Sequence, residues 1–308
     1  MTIITAETIL SSERLAGNHT INHRLTTMLL TYPRCIHAEF MTHRVFSRNA
    51  ASSRAIPVAR LLQDVIDHPF IPLHWGLNQP GMQATADSHP RVWVPEKNGD
   101  IPESGYWFDA EKEWLKDRDE VVQQCYRWIE AGYHKQIINR KLETYAHIKV
   151  LVTGDQWSNF LALRDHPAAE PHMQLLAKEI GKELAKPPMQ FLIPGQWHLP
   201  WVTMDDWMKF DPGIRPHIDL IKLSVARNAH TSYQTVDGKE MTFHKAQEVA
   251  DNLLASKPLH ASPAEHIAFA DKNIGDEISG DLFAQAALSG NFRPGWVQFR
   301  KTLAGECL

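Results

Sequence analysis

Thirteen residues, Thr42 to Arg54, hold three guanidinium groups, an imidazole, an amide and three serine hydroxyls. Burying such a set without a partner is expensive, so it points to a ligand rich in acceptor oxygens. Forked cations beside small hydroxyls are what phosphate recognition needs, and nucleotides and flavins carry that chemistry. An Arg-rich stretch is more often a solvated charged loop. Here the hydroxyls of Ser47, Ser52 and Ser53 beside the arginines weaken that alternative.

Two further segments are polar in ways that packing alone does not require. In Thr153 to Arg164, Trp157, Phe160, Leu161 and Leu163 are expected to face a core, with Asp155 capping a helix over 156–164. Asn159 and Arg164 are roughly 140° apart on that helix, yet a long Arg side chain can still converge with Asn159 on a ligand. In His260 to His266, two His and a Glu lie close together. Their spacing is neither His-Glu-x-x-His nor His-x-x-Glu-His, and Pro263 interrupts any helix, so no metal is assigned.

These segments must be held by regular elements. Arg24 to Phe40 reads as a strand running into a helix, and Ile56 to Asp67 as a helix that stops at His68-Pro69. A helix over Asp109 to Gly132 carries the stripe Trp114, Val121, Cys125, Trp128 and Ile129. Lys135 to Val152 reads as helix and connection, and a later helix runs to about Ala185. Ile221 to Tyr233 and Phe243 to Ala255 are two more helices, whereas 68–105 and 187–217 are irregular excursions. No repeat or low-complexity tract divides residues 1–308, so a single catalytic domain is expected.

Composition narrows the classes. A net charge of −4 argues against bulk attraction to duplex nucleic acid, though not against a local basic pocket. Three scattered cysteines make no disulfide framework. No apolar stretch approaches the roughly 20 residues of a membrane span, and Met1 to Leu10 has no signal-peptide pattern. A cytoplasmic enzyme is the expectation.

The Thr42–Arg54 run resembles the signature of the flavin-dependent thymidylate synthases, Arg-His-Arg, seven residues, then Ser. His43-Arg44 is followed by seven residues and Ser52, with Thr42 at the first Arg position. Asn159-Phe160-Leu161, two residues, then Arg164 is similar to the family's Asn-Phe-Leu…Arg, and Asn139-Arg140-Lys141-Leu142 to its nucleotide-binding segment. His260-Ala261-Ser262-Pro263-Ala264-Glu265-His266 resembles His-x-Ser/Thr-Pro-Phe-Glu-His, and His230-Thr231-Ser232-Tyr233 resembles Arg-x-Ser-Tyr. These last blocks precede the signature in the family and follow it here, so 222–270 is read as a circularly permuted N-terminal part. Two departures bear on substrate: Glu39 stands where the family has Gln, and Ala50 where a Glu follows the Asn.

The resemblance implies an α+β fold with long insertions, noncovalent FAD, and a homotetramer with active sites between subunits. It implies one-carbon transfer from methylenetetrahydrofolate to carbon 5 of dUMP, with NADPH as reductant and dTMP as product. Arg164, Ser52 and His260 inherit catalytic roles. His43, Arg44, Asn159, Ser232 and Ser262 inherit the flavin, and Glu39, Ser52, Ser53, Arg54, Arg140 and Arg164 the nucleotide. The alternatives are a hydroxymethyl product, a dCMP acceptor, or a nucleotide- or RNA-binding relative without catalysis.

Overall fold

The computed structural model describes residues 2–15, 23–82, 84, 89–96, 104–209, 218–232, 238–271 and 287–306. In chain order its elements begin with β1 (Thr5–Arg14), β2 (Arg24–Pro33), α1 (His37–Phe40), β3 (Ser47–Ala50) and α2 (Val58–Asp67). There follow β4 (Arg91–Pro95), β5 (Gly105–Asp109), α3 (Ala110–Glu130), α4 (Lys135–Lys141), β6 (His147–Gly154) and α5 (Ser158–Arg164). Next come α6 (Pro171–Leu184), β7 (Gln190–Leu192), β8 (Trp197–His198) and α7 (Met204–Lys209). The chain continues with α8 (Ile218–His230), α9 (Phe243–Leu254), β9 (Ala268–Ala270) and β10 (Trp296–Gln298).

A five-stranded sheet in the order β3-β6-β2-β1-β7 organises the site. Its central strands bury both faces, and successive side chains point opposite ways. Met28, Leu30 and Tyr32 of β2, with Ile148, Val150 and Val152 of β6, pack under α5 and α6 in one cluster. Thr27 and Thr153 face the other way, toward the segments around β8 and β9. A second sheet, β10-β9-β8, lies on that side, and α8 and α9 share their own apolar cluster with Ala264, Ile267 and Phe299. The helices α2, α3 and α4 meet in a third cluster around Cys125 and Leu142.

Several expected elements stand: β2 leading into α1, α2 ending before His68, α6, α8 and α9. The helix α3 is capped by Asp109, whose side chain accepts from the Lys112 amide, and it is followed by Gly132 at φ +77. Only part of the expected α3 stripe is buried. Cys125 is fully covered, while Trp128 and Ile129 are exposed.

Elsewhere the structure corrects the reading. Lys135 to Val152 holds a short helix and then β6, a strand paired on both sides. Inside 68–105 lies β4, which pairs with β5 as a hairpin. The helix after β6 begins at Ser158 with Trp157 at its N-cap position, so Asp155 is not its cap. Leu163 is 55% exposed and faces solvent. Among the described residues no helix is long and apolar enough to cross a membrane.

Candidate active site

An aromatic cluster brings the signature onto α5. Phe46 stacks on Trp157 at 4.4 Å between ring centroids, and Phe160 meets the His43 ring edge-on at 4.9 Å. Phe40 closes the group against both Phe46 and Phe160. Gly154 permits this approach, because a Cβ there would lie 2.6 Å from the Phe46 ring. The cluster is fully apolar inside and leaves polar groups at its rim.

At that rim three residues assigned from the sequence are in direct contact. Arg164 Nε donates to His43 Nε2 at 2.9 Å, and Arg164 Nη1 donates to Glu39 Oε1 in an ion pair. Nη2 makes only a long 3.5 Å approach to Thr42 Oγ1. His43 therefore accepts at Nε2 and carries its proton on Nδ1. Burial holds its pKa below the ordinary histidine value, and the neighbouring Arg164 and Arg48 charges push it further down.

The other arginines of the signature divide. Arg48 is structural: its Nη1 donates to the Met41 carbonyl at 3.0 Å and to the His43 carbonyl at 2.8 Å, clasping the loop. Arg44 and Arg54 are exposed. Ser52 Oγ accepts from the Arg54 amide at 3.3 Å, whereas buried Ser53 donates to Glu143 Oε1 at 2.7 Å. Arg140 is exposed, and its neighbour Asn139 does the holding. Buried Asn139 donates to the Ser53 and Ile56 carbonyls at 2.7 and 2.9 Å, tying the end of the signature to α4. The sequence reading passed over Asn139 in favour of the charge beside it.

The third block reaches the signature through backbone acceptors. Asn49 Nδ2 donates to the Asn228 carbonyl at 2.7 Å, and Asn228 Nδ2 donates to the Pro263 carbonyl at 3.0 Å. Burial pushes the Glu265 carboxyl up, against the pull of its ion-pair partner Arg300. Ser262 and His260 are exposed nearby in sequence, with the His260 amide donating to Ser256 Oγ at 3.0 Å. Ser232 is half-buried past α8, its amide on the Arg227 carbonyl at 3.3 Å. Tyr233 and Cys307 lie outside the described residues. Ala268 and Ala270 pack with Leu25 of β2, yet β9 pairs with β8 and β10.

Behind the site runs a relay that the sequence did not disclose. Gln190 Nε2 donates to Ser12 Oγ at 2.7 Å, and Ser12 Oγ lies 2.6 Å from His198 Nδ1. His198 Nε2 meets Thr27 Oγ1 at 2.8 Å, Thr27 meets Thr153 at 2.6 Å, and Thr153 meets His266 Nδ1 at 2.8 Å. A hydroxyl oxygen can accept twice, so the chain can run in either direction, each threonine donating to one neighbour and accepting from the other. His266 Nε2 is buried without a partner among the described residues. Burial pushes both histidines down to about 3, so they are neutral at pH 7.

Asp155 has a different task from the one expected. Its Oδ2 accepts from the Arg293 amide at 2.9 Å, and burial pushes its carboxyl up. With His23, Arg24, Thr26, Trp157 and Arg293 it lines a cavity of about 210 Å3 at the end of α5 away from Arg164.

The donor types on this face are those a flavin dinucleotide would take. Arg44, Asn159 and Ser262 are exposed, and their side chains donate no hydrogen bond and form no ion pair among the described residues. Cationic, amide and hydroxyl groups are thus left over for a diphosphate and a polar ring edge.

The UMP/dUMP methylase PolB from Streptomyces cacaoi, bound with 5-Br dUMP, is 16% identical, with a TM-score of 0.40 over 60% of this chain and 91% of that one. Thymidylate synthase X from Helicobacter pylori, with FAD and dUMP, is 17% identical, with a TM-score of 0.32 over 54% of this chain and 68% of that one. No curated protein sequence matches. The family model described as thymidylate synthase complementing protein matches residues 11–187, a range that holds Glu39, His43 and Arg164 and ends before His260. That range is more than half of the chain, which therefore belongs to this family, the flavin-dependent thymidylate synthases.

Proposed function

We propose that the protein catalyses flavin-dependent transfer of a one-carbon unit to carbon 5 of a pyrimidine deoxynucleoside monophosphate. In the family reaction the acceptor is dUMP, the product dTMP, the carbon donor methylenetetrahydrofolate and the reductant NADPH. The observation that carries the reading is Arg164 hydrogen-bonded to both His43 and Glu39, residues 121 and 125 positions away.

In this reading Arg164 meets the pyrimidine and stabilises negative charge that develops on the ring. His43 fixes the guanidinium by accepting at Nε2, which requires that His43 stay neutral. Ser52, Arg54 and Arg140 hold the nucleotide, while Ser53 is committed to Glu143 and positions the loop. Arg44, Asn159, Ser232 and Ser262 hold FAD, and His260 lies by the flavin and folate. FAD, when bound, supplies the redox and carbon-relay chemistry that side chains do not have. The side chains orient the ring and keep it polarised. A homotetramer with sites between subunits, within one catalytic domain, completes the proposal.

The test is direct. Purified protein reconstituted with FAD is expected to be yellow, to bleach under NADPH, and to give a C5-alkylated nucleotide with methylenetetrahydrofolate. A colourless protein that takes up no FAD favours a binding relative without catalysis.

A further inference from the structure

We infer that Glu39 sets the base, and that the acceptor is a cytosine rather than a uracil nucleotide. This deepens the reading above and rests on Arg164 meeting the ring.

Arg164 has spent Nε on His43 and one Nη1 proton on Glu39. A second Nη1 proton and the Nη2 amino group remain, the latter with only its long approach to Thr42. Glu39 has spent Oε1 on Arg164, and its Oε2 makes no hydrogen bond among the described residues. Its side chain is 32% exposed, so a ligand at the rim can reach it. The rim therefore offers two donors and, beside them, one acceptor that cannot donate.

Cytosine's pairing edge is acceptor, acceptor, donor: O2, N3 and the N4 amino group. It fits that order, with Arg164 on O2 and N3 and Glu39 accepting from N4. Carboxylate acceptance from cytosine N4 is an ordinary recognition pair. Uracil presents O2, N3–H and O4, and in the same placement two of the three positions oppose like with like. Charge points the same way. A uracil ring activated as its imide anion gains from Arg164 but is opposed by a carboxylate ion-paired with that same guanidinium. Cytosine carries no N3 proton to ionise. Its C5 becomes more electron-rich as the N4 hydrogen leans onto Glu39. An amide at this position both donates and accepts, and would not exclude O4.

The experiment is calorimetric titration of the FAD-reconstituted protein with dCMP and with dUMP, repeated on Glu39→Gln. Wild type is expected to bind dCMP at least about tenfold more tightly, within the range of one good base contact. Glu39→Gln should erase or reverse that ratio. Equal or tighter binding of dUMP by wild type overturns the inference while leaving the pyrimidine reading in place. So does an unchanged ratio in a folded Glu39→Gln protein. Binding of neither monophosphate overturns the pyrimidine reading itself. Should the variant not fold, the wild-type ratio still decides.

Discussion

Histidine occurs on both sides of the central sheet, and the two settings differ in what surrounds the imidazole. At the rim, His43 sits between an aromatic ring and a guanidinium, with Glu39 and solvent close by. Behind the sheet, His198 and His266 are fully buried and bonded only to hydroxyls. Burial lowers the pKa of all three, with arginine charges adding to it at the rim and His266 adding to it at His198. The lesson concerns what each arrangement is able to do. The rim holds an ion pair with spare donors and a spare acceptor, which a ligand can engage. The relay's hydroxyls and His198 bond to one another, joining β8 and the Ser262–His266 turn to β1, β2 and β6. One region is equipped for chemistry and the other for holding the molecule together.

Substitutions should separate the two. Arg164→Ala is expected to lower product formation by about 10²–10³, the cost of removing one donor aimed at developing charge. Flavin absorbance and melting temperature should hardly move. Near-normal turnover in single-turnover assays would remove Arg164 from the reaction.

Acid should act on the other region. His198 and His266 titrate near 6.5 when unfolded and at about 3 when folded, so the unfolded chain binds the extra protons. Their contribution to stability is complete above pH 6.5 and is lost as pH falls from there toward 3. The expected slope is about 1.4 kcal/mol per pH unit for each histidine. Urea denaturation across pH 4–7 measures it, and His266→Gln should reduce the slope by about one proton. A flat profile would mean that these imidazoles are not held neutral.

Thr153→Val removes the hydroxyl between Thr27 and His266 and leaves their polar atoms unmatched. It should cost about 1–3 kcal/mol of stability. Turnover per folded molecule should be retained. A loss of activity without a loss of stability would instead join the relay to the rim. The smallest effect is expected for Arg44→Ala. Arg44 is exposed and makes no side-chain bond, so stability should change by less than about 0.5 kcal/mol. Any larger consequence should be seen only in flavin affinity.

The rim was legible in the sequence because its residue types are unusual where they stand. The dense cationic and hydroxyl run and the family resemblance marked Glu39, His43 and Arg164 as separate site residues, without saying that they would bond to one another. The helices α6 and α8 were legible as helical segments, α8 being buried on nearly all faces. β6 was not, since a short apolar run such as Ile148 to Val152 fits a buried strand or a helix segment equally. The relay left a fainter signal. Thr27 and Thr153 are polar positions inside apolar strands, and nothing local says that His198 and His266 lie opposite them. Such partners, 113 and 171 residues away, belong to tertiary structure alone. Asp155 was misread for the same reason, its amide partner Arg293 being 138 residues distant.

The central claim is that a pyrimidine ring is gripped at the Glu39–His43–Arg164 rim. A crystal structure of the FAD-loaded protein soaked with dCMP, and in parallel with dUMP, tests it most directly. The account predicts ring atoms within hydrogen-bonding distance of the Arg164 guanidinium, with the flavin against the same ring. A nucleotide seated elsewhere, with Arg164 still turned only to Glu39 and His43, would contradict it.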